Sequence, residues 1–109
     1  MSPVLTHLAM HVQDLDACIA FYEDFCGMRV VHERSDAGNR VVWLAEPYRE
    51  QDFIFAMVPG GARQEQAPTD YSHVGFALET RAAVDAIADK GRAAGCLVWE
   101  PRTEPYPVG

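Results

Sequence analysis

Two nine-residue stretches of the chain repeat the same alternation of apolar with polar or small residues. Thr6-His7-Leu8-Ala9-Met10-His11-Val12-Gln13-Asp14 lines up without a gap on Ser72-His73-Val74-Gly75-Phe76-Ala77-Leu78-Glu79-Thr80. Period-two alternation predicts a half-buried strand in each copy. Leu8, Met10 and Val12, with Val74, Phe76 and Leu78, take one face; His7, Ala9 and His11, with His73, Gly75 and Ala77, take the other. A duplicated unit constrains architecture before any single residue is weighed. The more apolar face calls for a helix against it.

The sequence supplies that helix at once in both copies. After Asp14 as N-cap, Leu15, Ile19, Tyr22 and Cys26 fall on one stripe at helical spacing, while Asp16, Glu23 and Asp24 lie off it and Gly27 ends it. After Thr80, the stripe is Ala83, Val84, Ile87, Ala88, Gly91 and Ala94, with Gly95 as the stop. Its small residues predict close packing.

Three strand-like runs follow the first helix, Met28 to Glu33, Arg40 to Ala45 and Phe53 to Val58, with Asp36-Ala37-Gly38-Asn39 as the turn between the first two. The first half, about 3–58, therefore reads as βαβββ. Residues 59–70, with Gly60 and Gly61, read as a linker. In the second half, about 71–109, only Cys96 to Arg102 reads as a strand after the helix, before Pro101, Pro105 and Pro107 interrupt the pattern. The predicted fold is α+β: one domain of two βαβββ modules whose mixed sheets form a cupped cavity, the second module incomplete. A module needs about three sheet strands for stability, so a further segment of roughly 20 residues or more is expected beyond Gly109.

Composition narrows the partners. A chain of 109 residues, 49% of them hydrophobic, has the size of one domain. A net charge of -7 disfavours nucleic acid and anionic lipid surfaces. No apolar run approaches the roughly 20 residues of a membrane span, and the first residues lack a signal-peptide pattern, so a cytoplasmic protein is expected. Cys18, Cys26 and Cys96 are odd in number without a CxxC pair, which suits buried apolar thiols better than disulfides.

A strand bearing a histidine, then Asp14-Leu15 opening a helix that carries Phe21-Tyr22 and closes at Gly27, resembles the start of the vicinal oxygen chelate superfamily. Tyr71-Ser72-His73-Val74-Gly75-Phe76 resembles the opening of that family's second module. The resemblance runs from about Val4 to the end of the chain. The family includes glyoxalase I, extradiol dioxygenases, methylmalonyl-CoA epimerase, and bleomycin and fosfomycin resistance proteins, so it implies fold more firmly than reaction.

The resemblance also implies up to four metal ligands, one near the start and one near the end of each module. His7 and His73 match the first position of each. The late position of module one, a glutamate in glyoxalase I, falls at Phe55, with Ile54 or Ala56 one residue either side, and none of these binds a metal. The fourth position, again a glutamate, is expected beyond Gly109. Two histidines and a carboxylate suit Fe(II), with Mn, Zn or Ni as alternatives, and leave sites for a substrate with adjacent oxygens.

Around these ligands, His11 points to the cavity face and is the candidate acid/base or substrate-contact group, although its repeat partner is Ala77. Phe53, Phe55 and Met57 are expected to wall the substrate pocket, with plain core packing as the competing reading. Tyr71 and Tyr106 sit where loops could close over a ligand, Trp43 can face either side, Arg40 is a candidate anion contact, and His32 reads as a surface residue. The first functional expectation is a metal-dependent enzyme of the glyoxalase/dioxygenase type acting on a small substrate that chelates through adjacent oxygens. The second is a metal-free drug-binding protein of the bleomycin-resistance type, and the third is lactoylglutathione lyase. A homodimer is expected, because exposed sheet edges invite pairing.

Overall fold

Asp14 stops the first strand and starts the first helix: its side chain accepts a hydrogen bond from Ala17 N at 3.0 Å. In the computed structural model, which describes residues 2–63 and 65–107, this junction joins β1 (His7–Val12) to α1 (Leu15–Cys26). Gly27, at φ 66°, closes the helix in the left-handed conformation that glycine adopts without a Cβ penalty. Then follow β2 (Arg29–Asp36), β3 (Asn39–Ala45) and β4 (Ile54–Pro59). Ala37 and Gly38 both take positive φ between the paired residues Asp36 and Asn39, the pattern of a two-residue hairpin turn matched to strand twist. Pairing therefore continues to the turn, and β2 ends at Asp36 rather than Glu33.

The four strands form one mixed sheet in the order β1-β4-β3-β2, with β1 parallel to β4 and the other pairs antiparallel. The first half of the chain is thus a complete βαβββ module. Its core lies between α1 and one sheet face, where Leu15 and Ile19 meet Met28, Val42, Leu44, Phe55 and Met57. Met10 and Val12 pack against this cluster, as the alternation along β1 requires. Each fully buried side chain of this size contributes about 1.5–3 kcal/mol relative to exposure. Arg40, a candidate anion contact in the sequence, is instead engaged on this side, donating to Glu33 and, at 2.6 Å, to Asp16 of α1.

The chain divides into two compact units, residues 1–67 and 68–109. The second contains α2 (Arg81–Ala93), capped by the Thr80 side chain, which accepts from Ala83 N at 3.0 Å. Ala88 and Gly91 are its buried positions. Among the described residues, the two strands expected on either side of α2, at about 73–79 and 96–102, do not form. These segments are extended or irregular, and Val74, Phe76 and Leu78 stay partly exposed. Alternation prepares a segment for a sheet, but a strand exists only where a ladder partner takes up its backbone groups. No described helix is long and apolar enough to cross a membrane.

Candidate functional site

The sheet face opposite α1 carries the candidate site of the first unit. Parallel register sets His7 beside Ile54 and Ala9 beside Ala56, and the antiparallel ladders continue the second row to Trp43 and His32. Ala9, Ala56, Trp43 and His32 therefore lie side by side across all four strands. His32 joins this row because β2 is irregular between Val30 and His32, which shifts the register there. Such an extra residue re-aims the side chains that follow it. The imidazole of His32 lies 4.6 Å from the Trp43 ring, centroid to centroid, and Arg34 sits 5.3 Å from the same indole.

Over this face opens a cleft of about 760 Å³, bordered by Thr6, His7, Val31, His32, Trp43, Phe53, Ile54 and Ala56, with Glu50, Gln51 and Asp52 from the loop before β4. His7 is exposed, and its Nδ1 lies 2.9 Å from the Thr6 hydroxyl. Nε2 is then the ring nitrogen open to a further partner. The acidic rim holds no strong ion pair: Glu50 accepts from Tyr48 N at 3.1 Å, and Asp52 is 4.0 Å from Arg49.

Two expectations about this face need correction. Phe55 and Met57 do not wall the cleft; they are buried in the core beneath α1, at 4% and 0% exposure. Of the expected set Phe53, Phe55 and Met57, Phe53, just before β4, does border the cleft, and on the strand itself the bordering residues are Ile54 and Ala56. His11 shares its face with His7 but lies four residues further along β1, about 13 Å away at the rise of an extended chain, and is not among the cleft residues. Its ring packs on the backbone of Gly61, where an added Cβ would come within 2.6 Å. Conversely, His32 and Trp43 belong to the cleft, and only the register shift in β2, invisible to simple alternation, places His32 there.

In the second unit, His73 is exposed and its Nδ1 stands 2.6 Å from the Tyr71 carbonyl oxygen. A carbonyl only accepts, so Nδ1 carries the proton and the neutral ring keeps its lone pair on Nε2. Ser72 N donates to the Asp70 carboxylate at 2.9 Å, which tightens the turn before the histidine and holds that carboxyl below its ordinary range. Tyr71 contributes its carbonyl to His73, while its side chain is 72% exposed. Tyr106 is equally exposed.

Hydrogen bonding at Nδ1 is the usual way a protein orients a histidine whose Nε2 binds a metal. His73 has this feature; at His7 the partner is the Thr6 hydroxyl, which donates as well as accepts, and the tautomer with the proton on Nδ1 leaves Nε2 to a divalent cation in the same way. Among the described residues, no three His, Cys, Asp or Glu side chains gather into a full ligand set.

A sequence model of the Glyoxalase/Bleomycin resistance protein/Dioxygenase superfamily matches residues 4–107. The chain belongs to this superfamily. An uncharacterised protein of Pseudomonas aeruginosa is 66% identical to this superfamily member over 109 residues, covering all of this chain and 78% of that one. Among solved structures, a possible glyoxalase from Bacillus cereus is similar at TM-score 0.67 and 26% identity, over 86% of this chain and 76% of the other. A variant of the fosfomycin resistance protein FosX from Listeria monocytogenes, solved with Mn(II) and 1S,2S-dihydroxypropylphosphonic acid, aligns at TM-score 0.71 and 20% identity, over 100% of this chain and 80% of that one. The trypanothione-dependent glyoxalase I of Leishmania major aligns at TM-score 0.64 and 20% identity, over 86% and 68% of the two chains. At these identities the last two likenesses establish the vicinal oxygen chelate fold and no more.

Proposed function

We propose that this protein is a metal-dependent enzyme of the glyoxalase/dioxygenase type, acting on a small substrate through two adjacent oxygens, with His7 and His73 as metal ligands. The observation that carries the reading is the shared state of the two histidines: equivalent in the repeat, each has Nδ1 engaged by a neighbouring oxygen and Nε2 available. The cation, Fe(II) first with Mn, Zn or Ni as alternatives, supplies Lewis-acid polarisation of the chelated oxygens when bound. The remaining work falls to side chains of the cleft. Trp43, Phe53 and Ile54 exclude water from the bound molecule, and His32 takes the acid/base role that the sequence assigned to His11, because it is the other imidazole that borders the cleft, on the opposite edge strand from His7.

The test is metal analysis after anaerobic loading with Fe(II) or Mn(II). Stoichiometric metal in the wild type, lost in both His7→Ala and His73→Ala with folding intact, supports the reading. Metal-free wild type after loading overturns it.

A second reading, a metal-free drug-binding protein, draws on the aromatic border of Trp43 and Phe53 and the acidic rim, which suit a flat cation. A thermal-shift screen of metals against cationic aromatic drugs separates the two, since a ligand raises stability only by binding the folded state. Lactoylglutathione lyase ranks third: no Lys or Arg is among the described residues bordering the cleft to meet the carboxylates of a glutathione adduct. We further propose a cytoplasmic protein that forms a homodimer; the dimer draws on β1 and β2, the edge strands of the sheet, whose outer sides pair with no other described strand. Sedimentation analysis tests the dimer.

A further inference from the structure

β4 ends at Pro59, which is paired with Val12 at the end of β1. The proline ring fixes its own φ, so the backbone first regains freedom at Gly60. Gly60 and Gly61 take φ +92° and φ +75°, two consecutive positive values that residues with a Cβ rarely adopt. From this bend the chain runs on, with no helix or strand among the described residues, to the second unit, which starts at Pro68.

The two glycines differ in their surroundings. A Cβ on Gly60 would meet nothing within 4 Å, whereas one on Gly61 would meet three atoms of the His11 ring, Cγ at 2.6 Å, Cδ2 at 2.8 Å and Nδ1 at 3.0 Å. The imidazole therefore fills the space that a side chain at Gly61 would need. His11 is itself held in the sheet, opposite Val58, while Gly61 belongs to the segment that leaves it. The ring is not among the cleft residues. What it packs on is the bend.

His7 lies in the first unit and His73 in the second, so a cation that takes both depends on the path of the chain between them. Hinges are a few residues that absorb large changes in φ and ψ, and adjacent glycines offer the widest range of both. A ring packed against one of them narrows that range.

We propose that Gly60–Gly61 is the hinge of this chain and that His11 is a positioning residue for the metal site, latching the hinge by packing its ring on Gly61. The proposal rests on the metal-enzyme reading for the role of His73, and it gives His11 no contact with metal or substrate. The latch needs the shape of the side chain and not its basicity, so another flat ring can replace it.

The experiment uses the whole chain and two readouts, ¹⁵N order parameters at residues 60 and 61 and Zn(II) affinity by isothermal titration calorimetry. In the wild type Gly61 is expected to be as ordered as the sheet, at about 0.85, and in His11→Ala to fall below about 0.6. Zn(II) binding by His11→Ala is expected to weaken by about tenfold, the effect of lowering the competent fraction from near one to about a tenth. His11→Phe, which keeps a flat ring and loses both nitrogens, is expected to restore both readouts, with Zn(II) affinity within about twofold of the wild type. Gly61→Ala, which displaces the ring from the other side, is expected to act like His11→Ala and keeps the test open should that variant fold poorly. Any of three results overturns the proposal: Gly61 as mobile in the wild type as in His11→Ala, Zn(II) affinity left intact by both His11→Ala and Gly61→Ala, or His11→Phe as impaired as His11→Ala. Failure of the metal-enzyme reading looks different: the wild type then takes up no Zn(II) through His7 and His73, while the order parameter of Gly61 still decides whether His11 holds the hinge.

Discussion

The ring of Tyr22 on α1 meets the ring of Phe55 on β4 edge to face, with centroids 5.5 Å apart and planes at 80°. This contact is part of the packing that holds the Phe55 and Met57 face of β4 in the core with α1. With Phe55 and Met57 under the helix, Ile54 and Ala56 must face the cleft. Phe55 is thus a stability residue. Phe55→Ala is expected to cost about 3–5 kcal/mol in urea unfolding, the range for emptying an aromatic core site. A cost below about 1 kcal/mol, within the range of surface substitutions, would contradict the burial described here.

The same register predicts where a metal-binding carboxylate can be added. Ile54 lies directly beside His7 in the parallel ladder, whereas Phe55 points into the core. Ile54→Glu is expected to tighten Zn(II) binding in isothermal titration calorimetry. Phe55→Glu is expected to destabilise by several kcal/mol, about the cost of burying an unpaired carboxylate, with no gain in metal affinity. Tighter Zn(II) binding by Phe55→Glu would reverse the assignment of the two faces.

Gly61 adopts φ +75° and lies against the His11 ring, where a Cβ would meet the imidazole at 2.6 Å. Gly61→Ala therefore carries both a left-handed backbone cost of about 1–2 kcal/mol and a steric clash. In Gly61→Ala/His11→Ala the clash disappears and only the backbone cost remains. Thermal melts of the two single variants and the double should be non-additive in that direction. Strict additivity would show that His11 and Gly61 do not touch.

Thiol chemistry should separate the cysteines. Burial pushes the Cys18 thiol up, helped by the nearby Asp14 charge, and burial alone pushes up Cys26. A raised pKa leaves less thiolate at pH 8, so both react slowly. Cys96 is exposed. With Ellman's reagent on the native protein, Cys96 is expected to react first and Cys18 and Cys26 at least about tenfold more slowly. Release of all three thiols in one fast phase would refute the packing of α1.

Much of the architecture was legible because it is encoded locally. Asp14 and Gly27 bound α1 through one short capping contact and one positive φ, and Asp36-Ala37-Gly38-Asn39 makes the β2–β3 hairpin for the same kind of reason. The candidate site was legible at His7, whose face follows from the alternation in β1. It was misread at Phe55 and Met57, because an apolar run such as Phe53 to Val58 contains no polar residue to say which side is out. His32 was missed because the irregularity beside Val31 changes its parity without any Gly or Pro to announce it.

By itself, the order of residues determined the helices and the βαβββ plan of the first half, and it aligned His7 with His73 in the repeat, since each depends on neighbours within a few positions or on repetition along the chain. Only the tertiary structure decided which face of β4 meets α1, that His32 and Trp43 share the cleft, and that Arg40 is held by Asp16 and Glu33. Those outcomes depend on strand register and on contacts between residues distant in the chain. Side-chain facing in a sheet has a period of two, so a single-residue shift moves a side chain from core to cleft.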